Sequence, residues 1–103
     1  MHDVIVVGAR CTGATAAMLL ARRGHTVLML DKDPAGSDMA HSTHFVQPVA
    51  VSKLRKWGLL PALEAVCPAF ETYSLDFGFA KVRGTPPAID GDARGFCPRR
   101  NVL

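Results

Sequence analysis

The sequence predicts an α/β fold, and three observations within its first 31 residues carry the prediction. A β-branched run, Val4-Ile5-Val6-Val7, leads into a glycine. A glycine-bounded loop, Gly8 to Gly13, opens into a helical pattern. A second apolar run, Thr26-Val27-Leu28-Met29-Leu30, closes on Asp31. Strand, loop, helix and strand in that order make a βαβ unit, whose crossover is near the minimum length for a parallel pair.

Each element follows from its residues. Val4 to Val7 is apolar at every position, which suits a strand covered on both faces of a parallel sheet. From Ala14 the apolar residues Ala14, Ala17, Met18 and Ala21 recur at helical steps, with Leu20 beside them. Arg22 and Arg23 are expected in the last turn, at the negative end of the helix dipole, with Gly24 as the cap. Lys32 to Gln47 contains Pro34, Gly36 and Ser37, then Ser42-Thr43-His44, and reads as a long loop of the kind that often carries function. Pro48 opens a helix with Leu54 and Trp57 on one face, where Trp57 locks two helices together, and Gly58 ends it. Pro61 opens a short helix through Val66. Tyr73, Leu75 and Phe77 alternate with Ser74 and Asp76, predicting a strand with one wet face, and Phe79 to Arg83 pairs with it through a turn at Gly78. Tyr73, Phe77 and Phe79 are expected in the core of that hairpin. Gly84 to Gly95 is a loop, and Asn101-Val102-Leu103 starts a further helix.

The 103 residues suffice for one small domain. With 49% hydrophobic and 20% charged residues, the composition excludes wholesale disorder. The longest apolar runs fall short of the ~20 residues that span a bilayer, and Met1-His2-Asp3 offers no basic start for a secretory signal. The net charge of +3 comes from Arg94, Arg99 and Arg100, because the first 93 residues balance to zero. Such a local excess is no broad basic stripe, so nucleic acid is not expected as a partner. Cys11, Cys67 and Cys97 are odd in number and lack CxxC spacing. They read as free thiols of a cytoplasmic protein without a metal site.

The chemistry lies in Gly8-Ala9-Arg10-Cys11-Thr12-Gly13. A dinucleotide-binding loop has glycine at its first, third and sixth positions, and here these are Gly8, Arg10 and Gly13. Gly8 permits the tight turn and Gly13 lets the helix approach the strand. Backbone N–H groups near Cys11, Thr12 and Gly13 would face a pyrophosphate, assisted by the helix dipole. Arg10 replaces the middle glycine, and one reading has its guanidinium on a phosphate or a neighbouring ribose. Asp31 lies 18 residues after Gly13, close to the ~20 at which a carboxylate accepts from both ribose hydroxyls. It would repel a 2′-phosphate, which disfavours NADP at this site. Together these features predict a Rossmann-like βαβ dinucleotide-binding unit with covering helices and a β-hairpin.

Asp3 to Asp33, DVIVVGARCTGATAAMLLARRGHTVLMLDKD, resembles the amino terminus of FAD-dependent oxidoreductases of the para-hydroxybenzoate hydroxylase and geranylgeranyl reductase type. Ser42-Thr43-His44, the helix carrying Leu54 and the Trp57-Gly58-Leu59-Leu60 turn resemble that family's next segment. Cys97 to Leu103 is similar to its Arg-x-x-Leu helix start. The resemblance implies that Gly8, Cys11, Thr12 and Gly13 hold the FAD pyrophosphate. Asp31 would take the adenosine ribose, with Lys32 beside the adenine. Thr43 or His44 would lie near the ribityl chain or flavin, and Arg100 would contact the cofactor. NAD(P)H would be the electron donor of a full-length enzyme acting on a small organic substrate.

The expected organisation is one partial FAD-binding domain over 1–103. It comprises a βαβ unit at 1–33, a loop and helices at 34–72, and a hairpin with the start of the next helix at 73–103. The family's later flavin-contact and substrate segments have no counterpart here, so the expectation is a truncated segment of a monooxygenase or reductase, not catalytically complete alone. No catalytic constellation is visible; in such enzymes the flavin carries the redox chemistry. The alternatives are an NAD-binding dehydrogenase fragment, a stand-alone nucleotide-binding module and a non-functional remnant. Individual residues also have plainer readings: Cys11 as a packing residue, His44 as a hydrogen-bonded loop histidine, and Arg99-Arg100 as a solvated helix start.

Overall fold

β1 (Val4–Val7), α1 (Cys11–Ala21) and β2 (Val27–Leu30) form the βαβ unit that the sequence predicts. The structure, a computed structural model, describes residues 1–38, 41, 43–99 and 102. They fall into two compact units, one of Met1–Ala40 with Arg100–Leu103 and one of His41–Arg99. In the first, β1 and β2 pair in parallel, with Val4 opposite Val27 and Val7 opposite Leu30. Just before the pair, the Thr26 N–H and hydroxyl both donate to the Asp3 carboxylate, which pulls that carboxyl below its ordinary value. Thr26 is thereby occupied ahead of β2, and the strand begins at Val27, one residue later than the apolar run suggests.

α1 starts at Cys11, three residues before the first apolar repeat at Ala14. Arg10 has an extended backbone and acts as N-cap, and the Ala14 N–H closes the first helical bond on its carbonyl at 2.8 Å. The helix ends at Ala21, so Arg22 and Arg23 lie beyond its last turn rather than in it. Gly24 takes φ +92°, the left-handed conformation that closes a helix, and donates to the Ala21 carbonyl. Within the predicted helical stripe Ala17 is buried, at 9% exposure, and Ala21 is exposed.

The expectation of strands buried on both faces is corrected. Val4 and Val6 are half-buried, whereas Ile5 and Val7 are 61% and 83% exposed. Met29 and Leu30 of β2 are also exposed. The physical reason is the size of the sheet: among the described residues it has two strands, and the β-branched run reports a preference for strand geometry, not the presence of a second covering layer.

The second unit contains α2 (Pro48–Lys56), α3 (Leu60–Glu64), β3 (Tyr73–Asp76) and β4 (Lys81–Gly84). Pro48 stands in the first turn of α2, and the Gly58 N–H donates to the Arg55 carbonyl just past its end. Val46, Val51, Leu60, Leu63, Cys67 and Phe96 form the core, with Leu54 packed against it. Trp57 caps α2 half-buried and stands outside that core set. Phe96 is inserted by its backbone, which exchanges both hydrogen bonds with Val46, while neighbouring Gly95 does the same with Phe70. Gly95 has no room for a side chain: a Cβ there would lie 2.7 Å from Tyr73 Oη and 2.8 Å from Phe70 Cζ. Tyr73, Phe70 and Phe45 stack edge-to-face and tilted around it, with centroids 5.2–5.5 Å apart.

β3 and β4 pair antiparallel, with Leu75 opposite Val82 and Asp76 opposite Lys81. The turn uses Gly78 at φ +80°, as its position predicts. The prediction of a core hairpin with one dry face holds only for Tyr73. Leu75, Phe77 and Val82 are each 56% exposed and Phe79 is 92% exposed. Period-two alternation identifies the apolar face correctly, but among the described residues nothing covers it beyond Tyr73.

A charged cluster fastens this unit. The Arg94 guanidinium donates to both oxygens of Asp92 and, at 2.7 Å, to Glu64 of α3. Arg55 of α2 reaches the same Asp92. Ser52 and Lys56, also from α2, hold Asp90. Asp90 and Gly91 adopt positive φ in the turn that presents these carboxylates.

Candidate nucleotide site on the βαβ unit

The loop from β1 to α1 is shaped by its two glycines. Gly8 has φ +102°, a region that costs a residue with a Cβ about 1–2 kcal/mol. Its N–H donates to the Leu30 carbonyl at 2.7 Å, which extends the strand pairing into the loop. Gly13 lies in the first turn of α1, where an added Cβ would fall 1.7 Å from the Gly8 carbonyl oxygen and 3.3 Å from a Val6 methyl. Only glycine lets the helix start this close to the strand end.

That approach places the first turn of α1, with the N–H groups of Thr12 and Gly13, next to the turn at Gly8. The helix precedes any intrahelical partner for these donors, and no side chain caps it. Such a turn is suited to an anion.

Asp31 follows β2 directly and is fixed by two backbone donors. The Ala9 N–H donates to Oδ2 at 2.5 Å and the Asp33 N–H to Oδ1 at 2.9 Å. These bonds, Asp33 first and Ala9 second, hold the carboxyl below its ordinary value. It is therefore ionised throughout the neutral range. Each oxygen keeps a second lone pair, so both can accept from hydroxyl groups. Gly8, Arg10, Asp31 and Lys32 line one open cavity of about 500 Å3, together with Val7, Leu30 and Asp33.

Arg10 turns away from the helix start. Its guanidinium donates to the Ser37 carbonyl at 2.5 Å and pairs with Asp33 at 2.9 Å. Asp33 and Ser37 carry no motif signal in the sequence, and only the pairing of an arginine in the loop with an Asp-Lys-Asp run after β2 could have suggested them. Cys11 is the first residue of α1 and is half-buried.

Thr43 and His44 belong to the second unit. His44 has φ +52°, and its Nδ1 lies 3.0 Å from the Pro98 carbonyl oxygen, a contact in which that nitrogen carries the proton. The Thr43 carbonyl accepts from the Cys97 thiol at 3.8 Å. Ser42 and Arg100 lie outside the described residues. The structure thus brings together Gly8, Arg10, Cys11, Thr12, Gly13, Asp31 and Lys32 within the first unit.

A family model described as FAD dependent oxidoreductase matches residues 3–95. Squalene epoxidase of Candida albicans is 27% identical over 107 residues, spanning 87% of this chain and 21% of that protein. Squalene epoxidase of Schizosaccharomyces pombe is 33% identical over 64 residues, or 62% of this chain and 14% of that one. Among solved structures, PqsL of Pseudomonas aeruginosa, described as a probable FAD-dependent monooxygenase, has a TM-score of 0.78 at 16% identity. That likeness covers 98% of this chain and 27% of PqsL. PqsL bound to 2-aminobenzoylacetate gives a TM-score of 0.81. The chain spans between 14% and 28% of the length of these proteins, and the structural likeness establishes the fold.

Proposed function

This chain belongs to the FAD-dependent oxidoreductases, and from that membership we propose that its β1–α1–β2 unit holds the ADP half of FAD. Thr12 and Gly13, with Cys11 beside them, donate backbone N–H groups to the pyrophosphate, helped by the partial positive charge of the helix start. Asp31 accepts from the adenosine ribose hydroxyls, and Lys32 flanks the adenine. The observation that carries this reading is the conjunction of the Gly8–Gly13 contact with an Asp31 carboxylate already oriented by Ala9 and Asp33.

The site's residues bind and orient; bound flavin supplies two-electron redox chemistry. Thr43, His44 and Arg100 are assigned by family resemblance to the flavin end. In a protein of its relatives' length, the activity we propose is oxygenation or reduction of a small organic substrate with a nicotinamide as electron donor. Cys11, Cys67 and Cys97, odd in number and without CxxC spacing, support a reducing, cytoplasmic setting.

Titration of the purified chain with FAD, followed by flavin fluorescence and thermal stability, tests the reading. Ligand at 100 times its Kd stabilises the fold by about 2.7 kcal/mol. Asp31→Asn is expected to weaken FAD roughly tenfold, because the amide removes the charge and turns one of the two acceptor oxygens into a donor that faces the Ala9 or the Asp33 N–H. Since the Asp31 carboxyl titrates below its ordinary value, wild-type affinity should hold as pH falls to the usual carboxylate range and decline only below it. Absence of FAD binding by the wild-type chain would overturn the assignment.

A further inference from the structure

We propose that Arg10 and Asp33 form a brace that positions the ribose-binding carboxylate, so that Arg10 is a positioning residue for the nucleotide and not a phosphate ligand. The inference rests on the reading of this unit as the seat of the FAD adenosine moiety. It starts from the one departure of the loop from its pattern, an arginine where a third-position glycine is usual.

The side chain introduced there has a defined place. One guanidinium nitrogen donates to the Ser37 carbonyl at 2.5 Å and the other pairs with Asp33 Oδ2 at 2.9 Å. Both partners of the ion pair are about two-thirds removed from water, with 31% and 35% of their side-chain surface exposed. The charge is thereby balanced by a carboxylate, and a carbonyl oxygen takes a second donor. Two of its N–H donors, on two different nitrogens, are thereby committed to partners in the segment after β2.

The contacts close a ring between two loops. Arg10 holds the Asp33 side chain, the Asp33 N–H donates to Asp31 Oδ1, and Asp31 Oδ2 accepts from Ala9, the neighbour of Arg10. The glycine loop and the segment after β2 are thus tied through both edges of one carboxylate. Residues 33–37 form an irregular segment: the Ser37 N–H donates to the Pro34 carbonyl at 3.2 Å, and Gly36 stands at φ +76°. The bond from Arg10 to Ser37 anchors its far end. Removing the guanidinium frees Asp33, and with it the N–H that orients Asp31 toward the ribose diol.

A double-mutant cycle tests the brace. FAD affinity is measured by fluorescence for wild type, Arg10→Gln, Asp33→Asn and the double variant, at several salt concentrations and well below each melting temperature. If Arg10 acts through Asp33, each single variant weakens FAD roughly fivefold, and the double variant is no weaker than the weaker single one. The salt dependence of binding is then unchanged in Arg10→Gln, because no phosphate contact is lost. Amide exchange at residues 31–38 of the ligand-free chain also speeds up in both single variants. Multiplying losses, or a flatter salt dependence in Arg10→Gln, would mean a direct phosphate contact and overturn the proposal. So would wild-type affinity in either single variant. Failure of the wild-type chain itself to bind FAD would instead overturn the nucleotide reading, and the ribose role of the brace with it.

Discussion

Gly13→Ala is expected to abolish FAD binding and to destabilise the first unit by about 3 kcal/mol, at the upper end of the cost of overpacking. The new methyl would stand 1.7 Å from the Gly8 carbonyl oxygen and 2.9 Å from its carbon. Both are backbone atoms, so no rotamer change relieves the clash. α1 must retreat from β1 by more than an ångström, which withdraws the Thr12 and Gly13 N–H groups and breaks the close approach that defines the site. Thermal unfolding by circular dichroism checks the stability, with a drop of about 15 °C expected for a domain of this size. The matched control is Gly24→Ala. A Cβ there meets nothing within 4 Å, so only the positive φ is strained, and FAD binding should persist. Normal FAD affinity in Gly13→Ala would mean that α1 is not seated on Gly8 as described.

The second large effect lies in the other unit and concerns stability alone. Asp92 is buried, with 8% of its side chain exposed, and gathers Arg55 and Arg94. The Arg94 guanidinium, and secondarily the Arg94 and Arg55 hydrogen bonds around it, holds the carboxyl far below the usual carboxylate range. Asp92 in turn, with Glu64, raises Arg94 above its ordinary value. Asp92→Asn should cost about 2 kcal/mol at neutral pH, since hydrogen bonds to charged groups contribute about 1.5–3 kcal/mol each and both arginines stay partly hydrated. The pH dependence has a definite sign. The folded-state value is depressed below the 3.8 of an unperturbed carboxyl, so the contribution is complete above about pH 4 and is lost as pH falls through the depressed value. Wild type should therefore lose stability steeply in acid, and Asp92→Asn less steeply. Parallel acid profiles for the two proteins would show that Asp92 does not carry this linkage.

The sequence made the βαβ unit legible because each of its signals is local. Gly8, Gly13 and Asp31 sit at spacings fixed by one turn and one helix, and Pro48 with Gly58 brackets α2 in the same way. Coverage of the strands was not legible. A run such as Val4 to Val7 reveals that a strand forms, but whether Ile5 and Val7 meet a second layer depends on chain that is distant in sequence. Phe77 and Phe79 were misplaced in the core for the same reason, since aromatic character signals a capacity for burial and not its fulfilment. The ion pairs were also hidden. Arg10 and Asp33 are 23 positions apart, and Arg94 and Glu64 are 30 apart. No helical or strand periodicity links such partners, so only the folded backbone brings them into register.

The uncovered faces of the two small sheets also govern how this protein behaves toward fluorescent reporters. Ile5 and Val7 on one sheet, and Leu75, Phe77, Phe79 and Val82 on the other, present native apolar surface of the kind that environment-sensitive dyes ordinarily recognise in partly unfolded chains. The folded chain should bind such a dye strongly while retaining the near-ultraviolet dichroism of ordered aromatics, notably the Phe45–Phe70–Tyr73 group. Dye emission at the start of a melt will then be high and its rise on heating shallow. Leu75→Lys combined with Phe79→Lys should lower that starting signal with little change in melting temperature by dichroism.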